Sequence, residues 1–144
     1  MKKSFLLIVG VWFAGLAWAD GHSGKLSFEE RQASTPMTVT SVHLTQGGGT
    51  ITAEGDMGEY GRAYLTYTLA ADADGMGGTV IGEGRGAMQG GAFASGSGTG
   101  AYYRDGTTFT MHVIFRINDG TQNFDKIVFD ALTRELTHDA YILK

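Results

Sequence analysis

The sequence predicts an all-β domain, a small closed antiparallel barrel of about eight strands. Three observations lead to it. Apolar and polar residues alternate with a period of two in one short segment after another. Turn signals (Gly47-Gly48-Gly49, Gln89-Gly90-Gly91, Asp105-Gly106 and Asn118-Asp119-Gly120) separate those segments at short intervals. Beyond residue 19 no stretch carries a helical period of useful length. An antiparallel sandwich or barrel fits this spacing, and full closure has the advantage of leaving no unpaired strand edge.

The chain opens Met1-Lys2-Lys3-Ser4, runs apolar from Phe5 to Trp18, and reaches Ala17-Trp18-Ala19 before Asp20. A basic start, a short apolar run and an A-x-A site form a secretory signal peptide over residues 1–19. The run is short of the roughly 20 residues that span a bilayer, so no membrane span is expected after cleavage. Residues 20–144 are then one domain, secreted or periplasmic. Loss of Lys2 and Lys3 takes the formal charge from −4 to −6. An acidic product with scattered Lys and Arg carries no nucleic-acid footprint. The absence of cysteine rules out disulfides and thiol nucleophiles, leaving stability to the core.

Asp20 to Lys25 is a polar lead-in, and strands begin near Leu26. Met37 to Thr45 is rich in Thr and Val, with Pro36 at its start. Thr50 to Met57 places Ile51, Ala53, Gly55 and Met57 on one face. Gly58-Glu59-Tyr60-Gly61 turns the chain, and Arg62 to Leu69 places Ala63, Leu65, Tyr67 and Leu69 together. Ala71 to Gly78 reads as a loop. Its Asp72, Asp74 and Gly75 match part of a calcium loop without the remaining ligands or flanking helices.

Val80 to Ile117 reads as a three-stranded meander with glycine at every second residue: Gly82, Gly84, Gly86, then Gly96, Gly98, Gly100. A three-residue loop at Gln89 to Gly91 pairs Gly84 with Gly96 and Gly82 with Gly98. An Asp105-Gly106 turn would pair Gly98 with Val113 and Gly96 with Phe115. One face then carries glycines beside Phe109, Met111, Val113 and Phe115. Glu83, Arg85, Ser95, Ser97, Thr99, His112 and Arg116 occupy the other. After Asn118-Asp119-Gly120, Phe124 to Leu132 and Leu136 to Leu143 form a closing hairpin, with Ile127, Phe129, Ala131, Leu136, His138, Ala140 and Ile142 on one face if Ala131 opposes Leu136.

The run Gly82-Glu83-Gly84-Arg85-Gly86, preceded by Asp74-Gly75 and followed by a second glycine-rich strand, resembles small bacterial proteins with the allene oxide cyclase-like barrel, a fold shared with plant dirigent proteins. The likeness extends from about Gly47 to Lys144 as a pattern of glycines and strands. It carries over no catalytic residue. It implies an eight-stranded barrel, a homotrimer, and binding of a reactive lipid-derived or phenolic intermediate whose cyclisation or coupling the barrel steers.

An eight-stranded barrel either fills with side chains or holds one small ligand. Glycines that widen a wall beside aromatic and Met side chains suit a small apolar or aromatic molecule, and Gly82, Gly84, Gly96, Gly98, Phe109, Met111 and Phe115 are its expected contacts. A filled interior, with the outer face as the working surface of an interaction or structural module, is the alternative. Polar residues on the inner face are few. His138 and Tyr67 are the candidate catalytic pair, a neutral imidazole and a phenol able to orient a carbonyl or move a proton. His43 shares parity with Met37 and Val39 and joins the candidate ligand contacts. Read as core packing, His138 would accept a volume-conserving change to Phe. No Ser-His-Asp arrangement, phosphate loop or correctly spaced metal motif is present, so no cofactor or metal is expected, and any enzyme would be an isomerase or cyclase acting by confinement.

Overall fold

A computed structural model of the protein describes residues 24–144. The signal peptide expected over residues 1–19 and the first residues of the polar lead-in lie outside that span. Nine strands follow one another: β1 (Phe28–Glu30), β2 (Thr35–Thr45), β3 (Gly48–Asp56), β4 (Arg62–Ala71), β5 (Gly77–Ala87), β6 (Phe93–Asp105), β7 (Thr108–Ile117), β8 (Gln122–Asp130) and β9 (Glu135–Leu143). The only helical element among the described residues is a 3-10 turn over Gly58–Tyr60. All pairings are antiparallel. Strands β2 to β9 each bond their sequence neighbour, and β9 bonds back to β2, closing an eight-stranded barrel. Strand β1 is the extra one, running along β9 beyond the end of β2. No helix of the described residues is long and apolar enough to cross a membrane.

The closing seam is short. Thr35, Pro36, Met37 and Thr38 oppose His138, Thr137, Leu136 and Glu135, four pairs where β5 and β6 share eleven. Pro36 has no N–H to give a ladder and sits where β2 has just begun.

Side-chain direction follows the alternation, but two registers differ from the sequence expectation. The Gln89–Gly91 loop does set Gly84 opposite Gly96 and Gly82 opposite Gly98. The next turn is centred one residue later than expected: Asp105 opposes Thr108, and Gly106 is the residue with positive φ (57°). A two-residue loop that needs positive φ at its first central position takes glycine there, so Asp105 remains in the strand. Gly98 therefore opposes Phe115 and Gly96 opposes Ile117. The shift is of two residues, so the faces are kept. The β8–β9 hairpin moves in the same way. Phe129, not Ala131, opposes Leu136, because Asp130 Oδ1 accepts from the backbone N–H groups of Leu132 and Thr133, and Arg134 takes φ 61°, making a longer loop.

His43 is a correction of a different kind. The ladder between β2 and β3 slips between Val39 and Ser41, leaving Thr40 as a bulge. Val39 opposes Ala53 before it and Val42 opposes Ile51 after it, so the inward parity changes partway along the strand. His43 points outward and is exposed.

The core fills the lumen. Ile51, Tyr67, Met111, Val113, Ile127 and Phe129 are wholly buried, with Leu65, Leu69, Val80 and Phe115 nearly so. The meander glycines are occupied from across the lumen and from neighbouring strands. A Cβ at Gly82 would lie 2.3 Å from Phe115 Cζ, at Gly84 2.5 Å from Leu65 Cδ2, and at Gly96 2.7 Å from Ile117 Cδ1. The glycines thus make room for large side chains, and no continuous void runs along them.

Candidate functional site

A chain of three polar side chains crosses the barrel interior. Tyr67 stands on β4, and Asp125 and His138 stand on β8 and β9 at the far side of the ring. Tyr67 Oη lies 2.8 Å from His138 Nδ1, and His138 Nε2 lies 2.8 Å from Asp125 Oδ2. The three residues are 0%, 1% and 4% exposed. His138 opposes Ile127, which follows Asp125 on the same face by one alternation, so the side chains of His138 and Asp125 meet diagonally across the hairpin. Phe115, whose ring fills the space above Gly82, packs against the imidazole at 6.4 Å between ring centroids.

The protons in this chain follow from its partners. Burial, and then the charge of Asp125, push the Tyr67 phenol well above its ordinary value, so it keeps its proton. Its hydroxyl has one partner among the described residues, His138 Nδ1, and donates to it. Nε2–H then donates to the carboxylate, which only accepts. The imidazole is held in the Nε2–H tautomer, bridging a phenol and a carboxylate.

One atom of the chain has no partner. Asp125 Oδ1 is buried and makes no hydrogen bond among the described residues. An unmet buried acceptor costs about 1–3 kcal/mol, which a donor reaching it would recover. Asp125 and His138 line a pocket of about 40 Å³ near one end of the barrel, together with Leu65, Gly84, Gly96, Phe115, Ile117 and Asn123. That is room for a few heavy atoms, far below the roughly 300–1,000 Å³ of a pocket that swallows a whole ligand. A wider hollow of about 230 Å³ between Arg31, Met88, Phe93 and Asp119 shares Tyr60, Ala94 and Ile117 with it.

Tyr60 supplies a second polar group to the pocket, and a relay of bonds fixes its direction. Arg31 enters the barrel end from the segment between β1 and β2, pairs with Glu59, and donates to Asp119 (2.9 Å), Thr121 (2.8 Å) and Asn123 Oδ1 (3.1 Å). Its guanidinium also lies 4.7 Å from the Tyr60 ring centre. With Oδ1 engaged, the amide of Asn123 donates from Nδ2 to Tyr60 Oη at 2.8 Å. Tyr60 Oη accepts that bond and has its own proton free for another acceptor. Burial pushes this phenol up to about 12, so the proton stays.

The expected site residues thus divide. Gly84, Gly96, Phe115 and His138 line the pocket, and Tyr67 is coupled to it through His138. Gly82 lies under Phe115, and Gly98 backs onto the β7 main chain. Met111 is buried elsewhere in the core, Phe109 packs on Tyr102 and Phe129, and His43 is outside. Asp125, Asn123 and Tyr60 were missed. For Asp125 and Asn123 a signal existed: extending the period of Ile127 and Phe129 backwards puts both inside. Tyr60 sits in a turn, where alternation says nothing.

The raised phenols of Tyr67 and Tyr60 make stability fall on the alkaline side. Folded Tyr67 and Tyr60 hold protons that the unfolded chain releases near pH 10, so the contribution is intact below about pH 10 and is lost as pH rises above it. In an alkaline titration, tyrosinate absorbance from Tyr67 should appear together with loss of the far-ultraviolet circular dichroism signal. If all six tyrosines ionise near their ordinary value with the fold unchanged, the burial described here is wrong.

No family model, curated protein or solved structure matches the chain.

Proposed function

We propose that this is an exported binding barrel that takes the hydrogen-bonding tip of a small apolar or aromatic molecule into the pocket at Asp125, with the body of the molecule in the hollow by Met88 and Phe93. The observation that carries the reading is the unpartnered, buried Asp125 Oδ1 at a pocket whose surface is largely apolar. A barrel that was only packed would gain from an apolar residue there, because a buried charge with an unmet lone pair opposes folding. The resemblance to allene oxide cyclase-like barrels points the same way, toward a phenolic or lipid-derived ligand. Ligand-observed NMR with phenol and with benzene tests this. Phenol should bind and benzene should not, and Asp125→Asn, an isosteric change, should weaken phenol at least about tenfold while leaving the circular dichroism spectrum intact. Equal binding of both probes, or binding indifferent to Asp125→Asn, sinks the reading.

A second reading rests on the outer face. Ile81 and Ile114, each half exposed, flank Thr99 in one row across β5, β6 and β7, beside a depression of about 370 Å³ that includes Gly98. A self-associating module, the homotrimer of the resemblance, would bury this row. Native mass spectrometry of the exported protein distinguishes the two, since a monomer carrying a retained small molecule supports the first alone.

A further inference from the structure

We infer that the pocket catalyses a proton-transfer isomerisation of a small carbonyl compound, with Asp125 as the base and Tyr60 as the donor to the carbonyl oxygen. This rests on the binding reading above and names its substrate class. The pocket presents two polar groups with capacity to spare. Asp125 Oδ1 is an acceptor with no partner, on a side chain 6% exposed, and Tyr60 offers an O–H whose oxygen is already turned by Asn123. Both residues line the same pocket, largely apolar through Leu65, Phe115 and Ile117, with Arg85 and Ser95 also in its lining. A carboxylate and a fixed hydroxyl facing one apolar space are what enolisation needs: a group to take a proton from the carbon next to a carbonyl, and one to stabilise charge as it builds on oxygen.

For a β,γ-unsaturated ketone the steps balance without any other reactant. Asp125 Oδ1 takes a proton from the carbon between carbonyl and alkene. The electrons of that C–H bond form a carbon–carbon double bond, and the carbonyl π pair moves to oxygen, which accepts the Tyr60 O–H hydrogen bond. The dienolate then takes the proton back from Asp125 at the far alkene carbon, the oxygen's electrons restore the carbonyl, and the product is the conjugated ketone. His138 is a positioning residue. Its Nε2–H holds Asp125 Oδ2, leaving Oδ1 for the pocket, and Tyr67 holds the imidazole in turn.

Isomesityl oxide, small and acyclic, is the probe, and its conversion to mesityl oxide is read as growth of the conjugated ultraviolet band. The full chain lacking its leader should accelerate conversion at least about a hundredfold over buffer at equal pH, as general acid–base catalysis does. Asp125→Asn should return the rate to that of buffer. Tyr60→Phe should lower kcat more than about tenfold with KM little changed, and Tyr64→Phe, an exposed tyrosine on the outer face, should change nothing. Circular dichroism confirms the fold of each variant. If isomesityl oxide perturbs the Ile117 methyl resonances but converts no faster than in buffer, the activity is overturned and the binding reading stands. If neither it nor phenol perturbs them, both fall. Acceleration that survives Asp125→Asn overturns the assignment of the base.

Discussion

Gly98→Val is expected to leave no folded barrel, while Ser97→Val beside it shifts stability by less than about 0.5 kcal/mol. A Cβ at Gly98 would lie 2.1 Å from the carbonyl oxygen of Ile114 and 2.8 Å from Phe115 Cα. Both are main-chain atoms of the paired strand, and Gly98 faces Phe115 in that ladder. Backbone cannot swing aside as a side chain does, so relief requires parting β6 from β7. The cost should exceed about 4 kcal/mol, a large part of the whole stability of a domain this size. Ser97 is exposed and points outward. Gly84→Ala is the instructive intermediate. Its Cβ meets only Leu65 Cδ2, at 2.5 Å, and a methyl group can turn, so overpacking of about 1–3 kcal/mol is expected. Urea unfolding followed by circular dichroism ranks the three, and a Gly98→Val midpoint equal to that of Ser97→Val would falsify the facing of β6.

His138→Phe is expected to destabilise the barrel by about 3–5 kcal/mol, although it conserves volume. The sequence alone presents His138 as a candidate catalytic residue or as packing, and by volume the fold would tolerate the change. The structure gives the ring two partners, so Phe strands the Asp125 carboxylate without its donor and the Tyr67 hydroxyl without its acceptor, both out of reach of water. The pair Asp125→Leu with His138→Phe should cost less than the sum of the single changes, because the first removes the charge that the second orphans. A double-mutant cycle in urea measures this. A His138→Phe protein as stable as the parent would mean the three groups are not bonded as described.

What could be read from residues alone was the set of faces. Period-two alternation put Tyr67, Phe115 and His138 inside, and a two-residue error of register at Asp105-Gly106 left that unchanged, because pairs slip in steps that preserve parity when both strands stay regular. The same rule explains the failure at His43. A bulge at Thr40 adds one residue to one strand only, and parity then reverses with nothing in Thr38-Val39-Thr40-Ser41 to announce it. The meaning of the glycines was also hidden. Gly82 could leave a void or admit a ring, and that depends on Phe115, which reaches it across β6. Asp125 was legible by parity, but its acidic side chain argued for solvent. Only the sight of His138 beside it makes an inward aspartate reasonable.

The four-pair seam between β2 and β9 has a consequence for how the ring comes together. Seven of the eight neighbouring pairs in the ring join consecutive strands, so each can zip from its own turn. The eighth brings Thr35 to His138, closing a loop of about 100 residues. Loop-closure entropy grows as the logarithm of length, so this closure costs about 2 kcal/mol more than that of a ten-residue loop, against four ladder pairs to offset it. Long-range contacts of this kind are the slow ones in folding. His138 stands in that seam: its bond to Asp125 belongs to the β8–β9 hairpin, whereas Tyr67, on the opposite wall, completes the proton relay only when the ring shuts.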